Sequence, residues 1–278
     1  MKGLIFDIQR SSFVDGDGVR TAVFFKGCNL RCKWCHNPEG ISNCVQMLYY
    51  KSRCTQCKKC RDVCDFSEKE CTLCGKCALA CPNDAKEICG KEYTENELLS
   101  IILRDRELYE RSDGGVTFTG GECMLQIEFL EKILSLCKGE GINTAVDTAG
   151  NVPREHFERI LPLVDTFLFD VKCASEDLHK EFTGSSNRLI LENLEYLCKA
   201  GARVVVRVPV VGGFNAHTEE INRIFELLRG KSIHRVELLP YHRLGEHKYE
   251  GVGLTPWEFT APEDSQIKEF KETLGEML

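Results

Sequence analysis

Three cysteines stand close together in the segment GCNLRCKWCHNP, residues 27–38. Cys28, Cys32 and Cys35 follow the spacing C-x3-C-x2-C, and three thiolates so near one another suit a compact loop around one cubane-sized metal cluster. A [4Fe-4S] cluster has four irons, so three cysteine ligands leave one iron open. The alternative is an ordinary cluster whose fourth iron is capped by Cys44 or by another distant residue. We favour an open iron that binds a substrate, because a predicted strand leads straight into this loop, which is the catalytic position of α/β folds.

Eight more cysteines form two runs with one spacing, C-x2-C-x2-C-x3-C. This is the bacterial ferredoxin spacing, in which three close thiolates hold one [4Fe-4S] cluster and the fourth reaches across to a second cluster. A zinc site would use pairs of cysteines and leave the extra cysteine of each run idle. Asp65 stands where a proline usually follows, and only residues 65–70 separate the runs, so the pairing of cysteines with clusters stays open. The expected ligands are Cys54, Cys57, Cys60, Cys64, Cys71, Cys74, Cys77 and Cys81.

The chain has 17 cysteines, an odd number that does not fit a disulfide framework in a reducing compartment. Metal binding accounts for the three groups above. A single cysteine is more often a small buried apolar residue than a ligand, so we assign no chemical role to the scattered ones. These are Cys44, Cys89, Cys123, Cys137, Cys173 and Cys198.

The bulk composition excludes several classes of protein. A length of 278 residues is enough for one large α/β domain with a small insertion. The net charge of -7, with acidic and basic residues interspersed, argues against a nucleic-acid partner. No apolar run approaches the roughly 20 residues that cross a bilayer, and the N-terminus has no signal-peptide core. We expect a cytoplasmic protein without a membrane partner.

The elements that must position these residues alternate between strand and helix patterns. Strand-like apolar runs occur at 3–8, 21–25, 116–119, 143–147, 166–171, 204–208 and 234–239. Helix-like patterns lie between them at 94–111, 127–138, 155–163, 189–199 and 219–228. Thr94 and Glu97 form a capping box at the start of the first of these helices. The alternation predicts an α/β fold with a parallel sheet of six β/α units, either open or closed into a barrel.

Residues 44–90 break this alternation. Cysteine and lysine are frequent there, long aliphatic runs are absent and no amphipathic period of useful length is present. The segment has too little apolar material for a core of its own, so it needs another source of stability. We therefore expect a main domain of residues 1–43 and 91–278, and an insertion of residues 44–90 that two clusters hold together.

Polar motifs stand at the carboxyl ends of the predicted strands. They are TGGE at 119–122, DTAG at 147–150, DVK at 170–172, RVP at 207–209 and LLPYH at 238–242. The ends of parallel strands meet at one edge of the sheet, where ligands bind in α/β folds. Each motif alone reads as an ordinary turn or a charged strand end. Several consecutive strand ends that all carry such groups indicate one binding site.

The cysteine loop, with an aromatic residue before its third cysteine, resembles that of the radical S-adenosylmethionine (SAM) superfamily. The longer segment VDGDGVRTAVFFKGCNLRCKWCHNPEG resembles the activating enzymes of glycyl radical enzymes, and the similarity runs from residue 3 to about 250. The resemblance implies a partial (β/α)6 TIM-like barrel with an inserted bacterial ferredoxin-like domain and three [4Fe-4S] clusters. It also implies reductive cleavage of SAM at the cluster of Cys28, Cys32 and Cys35. The resulting 5'-deoxyadenosyl radical would take a hydrogen atom from a glycine of a partner enzyme, and reduced flavodoxin or ferredoxin would supply the electron.

The resemblance further assigns residues to the cofactor. Lys172 would neutralise the methionyl carboxylate, Glu122 would accept a hydrogen bond from the amino group, and His242 would contact the adenosyl part. A monovalent cation beside the cofactor is implied at Asp147, Thr148 and Asp170. The implied SAM contacts are Trp34, Cys35, His36, Gly120, Gly121, Glu122, Asp147, Asp170, Val171, Lys172, Arg207 and His242.

Two other functions stay open. A radical SAM enzyme that modifies another protein residue or a small molecule would share the cysteine loop, but the flanking VDGDGVR and CHNPEG segments match the activating enzymes. An electron-transfer protein with three clusters would not cleave SAM at all. The clusters of the insertion would either conduct electrons and dock a reductase, or only stabilise a segment that lacks its own core.

Overall fold

The structure is a computed structural model, and it describes residues 1–64 and 71–277. The linker at 65–70, which includes Asp65 and bears on the pairing of the cysteines, lies outside the described residues. No helix in the described part is both long enough and apolar enough to cross a bilayer.

One large sheet forms the centre of the fold. The strands of the described residues are β1 (Lys2–Ser12), β2 (Arg20–Phe25), β3 (Gln46–Tyr49), β4 (Lys86–Cys89), β5 (Lys91–Thr94), β6 (Gly115–Gly120), β7 (Asn143–Thr148), β8 (Thr166–Asp170), β9 (Val204–Val210) and β10 (Arg235–Pro240). Eight of them form a sheet in the order β10-β9-β8-β7-β6-β2-β1-β5. The run from β10 to β2 is parallel, while β1 and β5 are antiparallel at one edge. The predicted α/β fold with a mostly parallel sheet is confirmed.

Two short helices of the described residues lie between β3 and β4, and the others follow β5, most of them between strands of the large sheet. They are α1 (Lys59–Asp62), α2 (Lys76–Leu79), α3 (Glu95–Ile102), α4 (Arg106–Ser112), α5 (Ile127–Gly139), α6 (Arg154–Ile160), α7 (Glu176–Thr183), α8 (Arg188–Lys199), α9 (Thr218–Leu228), α10 (His247–Gly251) and α11 (Asp264–Met277). The predicted capping box of Thr94 and Glu97 opens α3. The single helix predicted at 94–111 is divided by a 3-10 turn at Leu103–Asp105. The turn carries Asp105 inward, where its carboxylate accepts hydrogen bonds from the Arg10 guanidinium and the Thr21 hydroxyl.

The main hydrophobic core lies between the sheet and its covering helices. Every residue of β2 is buried, and the inward rings of Phe118, Phe167 and Phe169 belong to one continuous apolar cluster. Such burial of large side chains contributes about 2 kcal/mol per residue, which makes this cluster the principal source of stability. The cysteine loop follows directly after β2 and is therefore attached to the most deeply buried strand of the sheet.

The loop before β2 contacts the strands at the other end of the parallel run. The Asp17 carboxylate forms ion pairs at 2.9 Å with Arg203, just before β9, and with Arg235 in β10. The Arg207 guanidinium in β9 donates to the Val14 carbonyl at 2.6 Å. Since β2 and β10 are opposite ends of the parallel run, this loop links the two ends of that run. The outer strands β10 and β5 are not paired with each other, so the sheet is open.

The two cysteine runs lie in the chain between β3 and β4. These two strands pair antiparallel, with Gln46 opposite Cys89. Each cysteine run contains a one-turn helix, α1 or α2. The second cysteine of each run, Cys57 or Cys74, stands between two residues with positive φ, and these flanking residues are Gln56, Lys58, Leu73 and Gly75. The two runs therefore share one backbone conformation as well as one spacing.

Candidate active site

The cysteine loop is closed at its base by backbone hydrogen bonds. The N–H of Gly27 donates to the Gly40 carbonyl at 2.8 Å, and the N–H of Cys28 donates to the Ile41 carbonyl at 3.0 Å. Gly27 has a φ of 102°, a conformation that favours glycine. The chain thus leaves β2, passes through the three cysteines and returns to the point where it started.

The three thiols of the loop lie in a desolvated environment. Burial raises the pKa of Cys28 and of Cys35 to about 12, and neighbouring thiols add to the effect. Burial also raises the pKa of Cys32, against the influence of the Lys172 ammonium. The N–H of Leu30 donates to the Cys28 Sγ at 3.4 Å. Buried thiols become thiolates when a metal centre supplies positive charge, so this donor set fits an iron–sulfur cluster.

Gly120 and Gly121 allow three backbone segments to meet beside the loop. A Cβ on Gly120 would lie 2.3 Å from the Phe25 nitrogen, and a Cβ on Gly121 would lie 2.3 Å from the Gly27 carbonyl oxygen. Both distances are far below van der Waals contact. The glycines therefore bring the end of β6 against the end of β2 and the base of the cysteine loop. Their close approach is to protein backbone, and their predicted contact with SAM stays a prediction.

Glu122 joins the ends of β6 and β7. The Thr148 hydroxyl lies 2.9 Å from both of its carboxylate oxygens. The N–H groups of Ala149 and Met124 donate to the carboxylate at 3.0 and 3.2 Å. Glu122 is completely buried, and burial raises its pKa to about 7. Because all these donors are protein groups, the carboxylate braces two strand ends, and its predicted hydrogen bond to SAM stays a prediction.

Two ion pairs stand next to each other at the ends of β7, β8 and β9. Arg207 Nη1 lies 3.4 Å from Asp147 Oδ2, and the Lys172 ammonium pairs with Asp170. Burial disfavours the Lys172 ammonium, but Asp170 and the Cys32 thiol outweigh it, so the pKa of Lys172 is raised. Burial raises the pKa of Asp147 to about 6, although the Arg207 charge opposes this. The structure thus brings together charged residues that were predicted from three separate motifs.

The residues predicted to bind a monovalent cation all have protein partners. Asp147 and Asp170 are paired with the two buried cations described above, and the Thr148 hydroxyl donates to Glu122. A bound cation would have to share these carboxylates with a guanidinium and an ammonium group. The cation site stays a prediction.

Two histidines from opposite ends of the chain stack at the rim of the site. The ring centroids of His36 and His242 are 4.3 Å apart, with the planes 18° from parallel. His36 Nε2 also lies 3.0 Å from the His242 carbonyl oxygen. Burial lowers the pKa of His36, and the nearby His242 ring adds to this effect. Both residues were predicted as SAM contacts, and the structure places them side by side.

Trp34 and Val171 point into apolar clusters. Trp34 is buried and stacks on Phe214 with ring centroids 4.2 Å apart, while Phe259 packs against its edge. The side chain of Val171 belongs to the main core. These two side chains support the cysteine loop and the end of β8 by packing. Their predicted contacts with SAM stay predictions.

Sequence reasoning missed two residues beside the cysteine loop. The buried Lys26 ammonium donates to the Glu39 carbonyl at 2.7 Å and to Gln46 Oε1 at 2.9 Å. The Tyr249 hydroxyl donates to the Lys33 carbonyl at 3.3 Å. A lysine directly after an apolar strand was a visible signal for the first. Tyr249 gave no signal, because no pattern in the sequence relates it to a loop more than 200 residues earlier.

Six cysteines of the two runs fall into two groups in space. One small pocket is lined by Cys64, Cys71, Cys74 and Cys77. Cys54 lies near Cys81: the Tyr49 hydroxyl lowers the pKa of Cys54, and the Cys81 thiol acts in the opposite direction. The N–H of Ala85 donates to the Cys81 Sγ at 3.2 Å. Hydrogen bonds from backbone N–H groups to cysteine sulfur are among the contacts that tune iron–sulfur clusters.

Comparison with known proteins identifies the class of this site. The family model of the Radical SAM superfamily matches residues 22–228, which include the cysteine loop and the strand ends through β9. The chain therefore belongs to the radical SAM superfamily.

Its relatives specify the branch of that superfamily. The chain is 41% identical to the trans-4-hydroxy-L-proline dehydratase activating enzyme of Clostridioides difficile, over 98% of this chain and 95% of the relative. It is 43% identical to the choline trimethylamine-lyase activating enzyme of Oleidesulfovibrio alaskensis, over 93% and 88% respectively. Within the superfamily it is one of the activating enzymes of glycyl radical enzymes, as the sequence predicted.

A solved structure agrees with the fold. A domain of pyruvate-formate lyase-activating enzyme from Bacteroides vulgatus superposes with a TM-score of 0.51 at 30% identity, and the match covers 59% of this chain and 94% of that domain. The similarity supports the α/β architecture described above.

Proposed function

We propose that the chain activates a glycyl radical enzyme, with Cys28, Cys32 and Cys35 as the ligands of the catalytic cluster. These residues would hold a [4Fe-4S] cluster, whose chemistry when reduced would be to give one electron to SAM and cleave its S–C5' bond, with methionine and a 5'-deoxyadenosyl radical as products. The radical would take one hydrogen atom from a backbone glycine of the partner. The observation that supports this proposal is the closed loop of three half-buried thiols, whose pKa values are raised by desolvation, beside the strand ends. The route needs no acid, base or nucleophile from the protein.

The surrounding side chains bind and orient SAM in this proposal. The Lys172 ammonium is buried beside the cysteine loop, where it suits the methionyl carboxylate. Arg207 and Asp147 form a second buried pair along the same edge, and the stacked rings of His36 and His242 offer a flat surface for the adenosyl part. Burial of Lys172 and Arg207 helps to exclude water from the place where the radical forms.

We assign residues 1–43 and 91–278 to a partial (β/α)6 barrel, and residues 44–90 to a ferredoxin-like insertion. The barrel is supported by the contacts of Asp17 with both Arg203 and Arg235, which link opposite ends of the parallel run. The insertion is supported by the repeated backbone conformation of its two cysteine runs. A two-cluster unit also accounts for a segment that has no hydrophobic core of its own.

We further propose a crossed pairing of the cysteines in the insertion. The pocket that Cys64 shares with Cys71, Cys74 and Cys77 supports its place in the cluster of the second run, and the proximity of Cys54 and Cys81 supports a place for Cys81 in the cluster of the first run. Each cluster then has four thiolate ligands and no open iron. The complete sets are Cys64, Cys71, Cys74 and Cys77 for one cluster, and Cys54, Cys57, Cys60 and Cys81 for the other.

The proposed electron donor is a reduced flavodoxin or ferredoxin. Exposed basic residues surround the first cysteine run, and they are Lys51, Arg53, Lys58, Lys59 and Arg61. Within the described residues, none of these five side chains forms an ion pair with an acidic side chain. Leu79 on the neighbouring α2 is 90% exposed and adds an apolar contact. A basic surface on a chain of net charge -7 favours an acidic one-electron carrier.

The function is tested with the anaerobically reconstituted chain. Incubation with dithionite and SAM is expected to give 5'-deoxyadenosine, and the variant Cys32→Ala is expected to give none. Addition of the correct glycyl radical enzyme is expected to give a glycine-centred doublet in electron paramagnetic resonance. The dehydratase and lyase types that the relatives' names specify are the first partners to test. A fully iron-loaded chain that forms no 5'-deoxyadenosine would overturn the proposal.

A further inference from the structure

Helix α10 lies between the cysteine loop and the insertion. It has only five residues, and it packs on the 3-10 turn at Pro38–Gly40 and on β3. Tyr249 and Gly251 are about 200° apart around a helix with 3.6 residues per turn, so they face opposite directions. A single helical turn therefore presents one side chain to the loop and a bare backbone surface to the insertion.

On the side of the cysteine loop, α10 makes contacts along the segment from Lys33 to Glu39. The buried Tyr249 hydroxyl donates to the carbonyl of Lys33, the residue after Cys32. Lys248 Nζ lies 2.8 Å from Asn37 Oδ1 and 2.8 Å from Glu39 Oε1. These contacts begin between the second and third cysteines and continue beyond the third, so α10 fixes that half of the loop from outside.

On the side of the insertion, α10 contacts the segment that leads to the first cysteine run. The Glu250 carboxylate accepts hydrogen bonds from the Ser52 N–H at 2.8 Å and from the Ser52 hydroxyl. The hydroxyl end of the buried Tyr50 ring lies close to Gly251, where a Cβ would stand 2.6 Å from the ring carbon Cζ. Tyr50 and Ser52 are four and two residues before Cys54. The contacts of α10 therefore reach the entrance of the first cysteine run.

We propose that α10 is a clasp that sets the position of the insertion against the cysteine loop, with Gly251 and Tyr249 as its positioning residues. This inference rests on the proposed function, because a fixed distance between the insertion and the cysteine loop matters only if both carry clusters. Without its own core, the insertion depends on its seat, which consists of Leu48, Tyr50 and Cys89 packed against Phe6 and Val252. A methyl group on Gly251 would push the Tyr50 ring out of this seat.

The test compares two glycine substitutions in the cluster-loaded chain. Gly251→Ala introduces the clash with Tyr50, whereas a Cβ on Gly139, at the end of α5, meets nothing within 4 Å, so Gly139→Ala is the matched control. Amide hydrogen exchange, read by mass spectrometry, is expected to become about tenfold faster over residues 46–53 in Gly251→Ala only. Reduction by an acidic protein donor is expected to slow, while 5'-deoxyadenosine formation with dithionite stays within about twofold of wild type.

A second variant tests the other side of the clasp. Tyr249→Phe keeps the ring and removes only the hydroxyl that holds the Lys33 carbonyl, so exchange should rise over residues 33–36 and stay unchanged over 46–53. If Gly251→Ala matched Gly139→Ala over residues 46–53 and in the rate with the protein donor, the clasp would be refuted. A wild-type chain that makes no 5'-deoxyadenosine would refute the proposed function instead, and the exchange comparison would still decide on the clasp.

Discussion

The Thr148 hydroxyl lies 2.9 Å from both carboxylate oxygens of Glu122, and both residues are buried. This contact ties the end of β6 to the end of β7 directly behind the cysteine loop, because the Glu122 N–H also donates to the Gly27 carbonyl at 2.7 Å. One acid therefore connects two strand ends and the base of the loop. Burial raises the pKa of Glu122 to about 7, so the protonation state of this carboxyl group depends on whether the chain is folded.

The first prediction concerns the pH dependence of stability. The ordinary pKa of Glu122 is 4.5 and the folded value is about 7, so between these values the folded chain keeps a proton that the unfolded chain has released. The free energy of unfolding should therefore fall as pH rises, by up to about 3 kcal/mol across this window. Urea unfolding of samples with equal iron content, from pH 5 to 8, measures this. In Glu122→Gln the free energy of unfolding should change less with pH. If its pH dependence equals that of the wild type, groups other than Glu122 cause it.

The second prediction concerns Lys172. Lys172→Met removes a buried ammonium that we assign to the SAM carboxylate, and it also leaves Asp170 without its partner. Affinity for SAM should fall by about 2 kcal/mol, roughly thirtyfold. Titration calorimetry of the cluster-loaded chain with SAM gives the dissociation constant. Lys138→Met is the control, because Lys138 is half exposed and distant from the loop, and equal affinities of the two variants would contradict the role of Lys172.

The third prediction concerns iron content. With three clusters the chain holds about twelve irons, and the combined change of Cys28, Cys32 and Cys35 to Ala should leave about eight. In the crossed pairing, Cys64 and Cys77 serve one cluster, so their double change to Ser should also leave about eight. Changing Cys64 together with Cys54 should leave about four, since each serves a different cluster. Colorimetric iron analysis distinguishes these results, and an uncrossed pairing would be shown by about eight irons in the last variant.

The fourth prediction concerns the electron donor. Lys58→Glu combined with Lys59→Glu reverses two exposed charges beside the first cysteine run. The KM for flavodoxin or ferredoxin should rise about tenfold and depend less on salt. Activity with dithionite should not change, because a small reductant needs no docking surface. The matched control reverses Lys268 and Lys271 on α11, and an equal effect of both double variants would remove the argument for this surface.

Much of the main domain could be predicted from the sequence. The six parallel strands have β-branched and aromatic runs with turn residues between them, so their order in the chain was visible, and the C-x3-C-x2-C spacing identified the cluster loop. Strand β5 was not predicted, because KEYT at 91–94 has no apolar alternation and is a strand only through its pairing with β1. Helix α7 was missed for a similar reason, since its short polar segment is helical mainly through the Ser175 cap.

The partners of the site residues could not be predicted. Glu122 was read as a ligand group, but its donors come from Thr148, Ala149 and Met124, which only the fold brings near. Trp34 was read as a SAM contact, while the structure stacks it on Phe214 from a loop after β9. In both cases the sequence showed that a residue stood at the right strand end or loop. It did not show the direction of the side chain, which depends on contacts between distant segments.

The pairing of Gln46 with Cys89 has an evolutionary consequence for the proposed insertion. Partners in an antiparallel ladder have Cα atoms about 5 Å apart, so the segment from Gln46 to Cys89 begins and ends at nearly the same point. A gene segment that encodes such a unit can be gained, lost or exchanged with little disturbance to its host, because a short turn closes the same gap. If this segment carries the two proposed clusters, its gain or loss would alter how electrons reach the active site and would leave the site itself unchanged.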